Sequence, residues 1–320
     1  MDGLGAGIDA PLVVIRAIHF AATAITAGAL IFQVVVAEPA LRSAPVAMAA
    51  VVRSQIRLIA WIALATAAAS GVIWFQLQAA AISGLPFGEA MTSDVLSTVL
   101  NETQFGLVSK IRVLLAVILA GCLAYDRFAP ARRLALGPAL GFTAAIAWTG
   151  HAGASLGEMG NLHLTSDVLH LVAAAGWIGG LVPLALLLAA ARRHQALAWA
   201  SLARDAALRF STLGIFSVAT LFVTGIVNAW ILVGSIHAMI VTRYGQLLVL
   251  KLGVFAIMLM FAAANRFWLT PQLALSPENE PQPKSLRQLT RNSIVEIAMG
   301  LAIFAIVGVL GTLHPAIHLM

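Results

Sequence analysis

The sequence predicts an all-α integral membrane protein of eight transmembrane helices, arranged as two parallel four-helix repeats with both termini outside. Composition is the first observation: 61% of the residues are hydrophobic and 10% are charged, against about 45–50% and about 25% in soluble domains. Length is the second. A spanning helix needs roughly 20 mostly apolar residues, and eight such runs are centred near residues 24, 68, 117, 142, 178, 222, 256 and 304. The third is duplication. His19 and Gly28 recur as His170 and Gly179 at an offset of 151, and Thr103, Phe105, Gly106 and Arg127 recur as Thr242, Tyr244, Gly245 and Arg266 at an offset of 139.

The runs are helix-length and rich in Ala, Leu, Ile and Gly, unlike the alternating strands of about 10 residues in a barrel. The first follows an acidic, Gly-rich start without the basic segment of a cleavable signal, so helix one is expected to be retained. Helix two carries Ser70-Gly71-Val72, and helix six matches it with Thr224-Gly225-Ile226. Between helices two and three, residues 83–104 form the longest outer loop, with a short surface helix over 93–100. Helix three contains the single cysteine, Cys122, as a packing residue. Helices four and eight end in Gly150-His151 and Leu313-His314. The Pro-rich stretch 276–283 reads as a loop between helices seven and eight. An even number of helices per unit gives both units the same orientation about a pseudo-two-fold axis along the membrane normal, with units at 1–150 and 151–320.

Lys and Arg accumulate in cytoplasmic loops. Alternate loops hold Arg42, Arg53, Arg57; Arg127, Arg132, Arg133; Arg192, Arg193, Arg204, Arg209; and Arg266, Lys284, Arg287, Arg291, fourteen of the 19 basic residues. The net charge of +6 is explained by this bias and implies no nucleic-acid partner; the surface partner is membrane lipid.

Ionisable groups at membrane depth are costly and usually functional. At 1.5 Å per residue, His19 and His170 fall at similar depth in the outer third, and His151 and His314 sit at the outward ends of their helices. His163, His318, Met159 and Met320 are on the same side. Each has a plainer reading: a structural hydrogen bond for His19 and His170, a helix end for His151 and His314, an ordinary loop residue for His163 and Met159. Arg16 and Asp167 occupy matching positions three residues before the two histidines, so they either pair across the axis or give the two sites different charge. Lys251 matches Arg112, and it and Glu296 are expected in structural ion pairs.

Gly150-His151-Ala152, Asp167 three residues before His170, Trp177-Ile178-Gly179-Gly180-Leu181, Tyr244-Gly245 with Lys251, and Asn265-Arg266 together resemble the copper-resistance D (CopD) family of bacterial inner-membrane proteins. The resemblance implies copper handling beside a periplasmic copper-binding protein of the CopC type. The ligands are assigned from the residues themselves: His19, His151, Asp167, His170 and His314, with His163 and Met159 at the periphery. Imidazole and thioether suit Cu(I), and imidazole with a carboxylate suits Cu(II).

The sequence carries no phosphate-binding loop, no His-Glu-x-x-His motif and no Cys-x-x-Cys-His haem attachment, and a non-enzymatic role is expected. Two alternatives stay open. One is a membrane b-type haem protein, with His19 and His170 or His151 and His314 as axial ligands. The other is a docking partner for a copper chaperone that transports nothing.

Overall fold

The described residues of a computed structural model are 10–125, 129–155, 157–194, 196–275 and 284–318, and they are helical with short connections. Arg127, residues 276–283 where the sequence predicts a loop, Met320 and the side chain of His318 lie outside them. Among the described residues seven helical segments are long and apolar enough to cross a membrane. They are α1 (Ala10–Ser43), α2 (Val46–Ser83), α3 (Gln104–Ala124), α5 (Gly157–His194), α6 (Leu197–Val233), α7 (Arg243–Leu273) and α8 (Lys284–Leu310). The surface helix expected over 93–100 is present as Ser93–Glu102.

The eighth expected span, near residue 142, is a correction. Its central piece is α4 (Leu136–Ala144), preceded by Ala129–Leu134 and followed by a 3-10 turn at Ala145–Thr149. Pro138 explains the break: it lacks an amide proton, and its ring crowds the carbonyl of Leu134 four residues back.

Proline also accounts for the three π-turns, Gln33–Ala37, Ala175–Gly179 and Asn265–Leu269. Pro39, Pro183 and Pro271 follow them, and in each case the carbonyl four residues before the proline, on Val35, Gly179 or Phe267, lies inside the widened turn. The extra residue gives the ring room without ending the helix.

The duplicated Thr-x-aromatic-Gly motif is a helix start. Thr103 and Thr242 are N-caps whose side chains accept from the amides of Gly106 and Gly245, each at 3.0 Å. At the other polarity, α2 and α6 end on Gly84 and Gly234 at φ 68° and 73°, a left-handed conformation that glycine adopts without steric cost.

Helices α1 and α5 form the centre: 78% and 72% of their most apolar windows are buried, against 39% or less elsewhere. They cross at Gly28 and Gly179. A Cβ on Gly28 would meet the Ala175 carbonyl oxygen and the backbone of Gly179, and a Cβ on Gly179 would meet the Ala24 carbonyl oxygen. Small residues permit such backbone approach between membrane helices. Overpacking a close contact costs about 1–3 kcal/mol, so Gly28→Leu is expected to lower the melting temperature in detergent by several degrees; an unchanged melt would refute this crossing.

Candidate metal centre

Each duplicated histidine leans on a hydroxyl of the next long helix. His19 Nδ1 on α1 is 3.1 Å from Ser70 Oγ on α2, and His170 Nδ1 on α5 is 2.9 Å from Thr224 Oγ1 on α6. Both hydroxyls donate to the carbonyl four residues back, of Thr66 and Thr220, each at 2.6 Å. The imidazole Nδ1–H therefore donates to the hydroxyl oxygen, and the lone pair of each ring is on Nε2. Gly71 and Gly225 follow the hydroxyl residues and leave space for the rings: a Cβ there would stand 3.1 and 3.8 Å from Cε1 of His19 and His170.

The surroundings of Nε2 differ. Arg112 on α3 places Nη2 at 2.6 Å from His19 Nε2 and donates also to Thr23 Oγ1 and the Phe142 carbonyl. Its guanidinium lies 4.1 Å from the Phe142 ring centroid. Trp74 packs 5.1 Å from His19, Phe105 packs on Trp74, and Arg16 lies 5.6 Å over the Trp74 ring. Both nitrogens of His19 are engaged, and no ring lone pair remains for a metal in this arrangement.

Around His170 the corresponding sequence positions are polar. Asp167 stands for Arg16, Asn228 for Trp74, Tyr244 for Phe105 and Lys251 for Arg112. Asn228 Nδ2 donates to Asp167 Oδ1 at 3.4 Å, while Asn228 Oδ1 is buried without a hydrogen-bond partner. Among the described residues no protein donor occupies His170 Nε2. Lys251 and Tyr244 are close enough for electrostatic interaction with Asp167. Unsatisfied buried acceptors are uncommon and mark places where an ion or water belongs. The Asn228 amide oxygen is such a place, and Asn228 touches the Asp167 carboxylate, which sits three residues before His170 on α5.

Arg16 and Asp167 do not pair. Arg16 Nη1 donates to the Gly311 carbonyl at 2.9 Å, beyond the end of α8. The charge that reaches each ring is instead a cation of the third helix of each unit, Arg112 at His19 and Lys251 at His170.

A cleft of about 430 Å³ lies at the ends of α4 and α8, with His151, Ser155, His314 and Pro315 among its walls. His163 is 2% exposed and donates through Nδ1 to Ser155 Oγ at 3.0 Å, since that hydroxyl donates to the His151 carbonyl. The His151 ring is 6.1 Å from that of Tyr244. His151 thus neighbours Tyr244, which in turn lies near Asp167, three residues before His170 on α5. Met159 is exposed. Among the described residues no three His, Cys, Asp or Glu side chains converge on one point, so the candidate ligands come as pairs.

In the opposite half, Glu296 forms no ion pair among the described residues but accepts from Asn265 Nδ2 at 2.6 Å, and Asn292 donates to Asn265 at 2.8 Å. This answers the burial of a carboxyl with amide donors.

Sequence reasoning named Tyr244 and Lys251 without assigning them to the site and missed Asn228 and Thr224 as site residues. The signal was there: Trp74 and Asn228 share the offset of 154 that relates Ser70 to Thr224.

Residues 7–161 match the family profile described as Copper resistance protein D-like, N-terminal domain, and residues 204–310 match Copper resistance protein D. The chain is 29% identical to Copper resistance protein D of Pseudomonas syringae pv. tomato over 254 residues, covering 76% of this chain and 79% of that protein. It is 32% identical to Inner membrane protein YebZ of Escherichia coli K12, over 53% of this chain and 55% of the relative. It is 33% identical to Copper transport protein CutJ of Bacillus subtilis, over 39% of this chain and 22% of that protein. No solved structure matches significantly.

Proposed function

Because the chain belongs to the copper resistance protein D family, we propose that it takes copper at the cleft of His151 and His314 and passes it inward past Asp167 and His170, in the bacterial inner membrane. The observation that carries this reading is the asymmetry of the duplicated histidines: one is closed by Arg112, and the other, three residues after Asp167 on the same helix, has no protein donor at Nε2 among the described residues. Copper accepts imidazole and, as Cu(II), carboxylate. Pairs of ligands, rather than a closed four-ligand cage, suit a metal that must leave again.

The two units run parallel with both termini outside, the interrupted stretch 129–149 serving as the eighth crossing. Gly28 resting on its own sequence mate Gly179 supports this, because an element lying on a two-fold axis touches its equivalent. His151 and His314, which end matching helices, line one cleft. The basic loops support a periplasmic position for that cleft, where a copper-binding protein of the CopC type would deliver its cargo. His19 is the structural member of the pair, and His163 braces Ser155 at the cleft. Met159 is an entry ligand on the exposed rim.

Copper quantified on the purified protein tests the reading, and a visible spectrum of the same sample separates it from haem. A bis-His haem needs two open nitrogens, and His19 Nε2 already meets Arg112; the remaining pair is His151 with His314. The expected spectrum has no Soret band, and bound copper falls when His151 and His314 are both replaced by alanine. A reduction-sensitive Soret band would overturn the copper assignment of these histidines.

A further inference from the structure

We infer that Lys251 is a displaceable resident cation that governs metal access to His170, in the position that Arg112 fills permanently beside His19. This rests on the proposed copper site at Asp167 and His170. The two rings have the same hydroxyl support, the same tautomer and a glycine at the same place. A basic residue stands at the matching position of the third helix of each unit, Arg112 on α3 and Lys251 on α7.

The difference is in what holds the cation. Arg112 is tied by His19, Thr23 and the Phe142 carbonyl, and its flat face rests on the Phe142 ring. A guanidinium presents several fixed donors and keeps its charge. At the offsets that relate the two units, Thr23 is matched by Ala174 and Phe142 by Ala305. The anchoring hydroxyl and ring are both missing. Among the described residues Lys251 makes no hydrogen bond or salt bridge, yet its charge reaches Asp167 and His170. An ammonium on a four-carbon stem with no fixed partner can swing.

An untethered cation beside a carboxylate balances Asp167 when no metal is present and competes with any metal for the same negative field. A metal that bonds to imidazole as well as carboxylate displaces it, whereas a hard cation attracted only by the charge does not. Lys251 is thus a specificity-determining residue, with Asp167 and His170 as the ligands it guards.

The test uses full-length protein in detergent, with copper and calcium affinities measured by chelator competition and folding checked by thermal melt. Lys251→Arg is expected to weaken copper binding at least tenfold, reproducing the closed state of His19. Lys251→Met is expected to bind copper at least tenfold more tightly and to lose discrimination against calcium, a hard cation that does not bond to imidazole. If the wild type binds copper and both variants match it, or both weaken it equally, the inference is overturned while the proposed function stands. If the wild type binds no copper, the proposed function falls and takes this inference with it.

Discussion

His170→Ala is expected to abolish copper accumulation in cells and to weaken copper binding by the purified protein more than about 100-fold, the upper range for losing even a supporting residue of a metal site. The melting temperature should stay within a few degrees of wild type. His170 makes one hydrogen bond, to a hydroxyl that already donates to the Thr220 carbonyl. Removing the ring leaves Thr224 without an unsatisfied proton, which limits the structural cost. Asp167→Asn keeps the size and the contact with Asn228 but removes the charge, and should weaken binding by about 10–100-fold. Copper titration monitored by chelator competition, run beside a thermal melt, reads both effects. A His170→Ala protein that binds copper normally would move the site to the His151 and His314 cleft alone.

The membrane class was legible because 61% hydrophobic composition has few other outlets, and the long helices follow from apolar run length. The helix near residue 142 was not, because run length ignores Pro138, whose cost is paid in the backbone rather than in hydropathy. For the site, His170 and Asp167 were legible as costly polar groups at membrane depth. His19 carries the same signal, and only the position of Arg112, 93 residues away, shows that its lone pair is already committed. Asn228 and Thr224 were hidden for a different reason. Each is unremarkable on its own helix, and they matter only through contacts with α5 that periodicity does not encode. Comparing the two units position by position reveals them, since Trp74 to Asn228 and Phe105 to Tyr244 are changes from packing to polarity around one conserved geometry of ring and hydroxyl.

That comparison makes the opposite forecast for Arg112. Arg112→Leu is expected to remove about 3 kcal/mol or more of stability, because the Phe142 carbonyl, Thr23 Oγ1 and His19 Nε2 all lose a donor and an unsatisfied buried acceptor costs about 1–3 kcal/mol. Leucine does not replace the contact of the guanidinium with the Phe142 ring. The three acceptors lie on α1, α4 and the ring that bridges α1 to α2, so the loss loosens the packing of the entire first unit. Lys251→Met at the matching position breaks no hydrogen bond, and although it takes the balancing charge from Asp167, it should melt closer to the wild type than Arg112→Leu does. The measurement is the monodisperse fraction after detergent extraction together with the melting temperature of both variants. Equal melts would mean that the two cations play the same part, and the division into a structural first histidine and a metal-handling second one would fail.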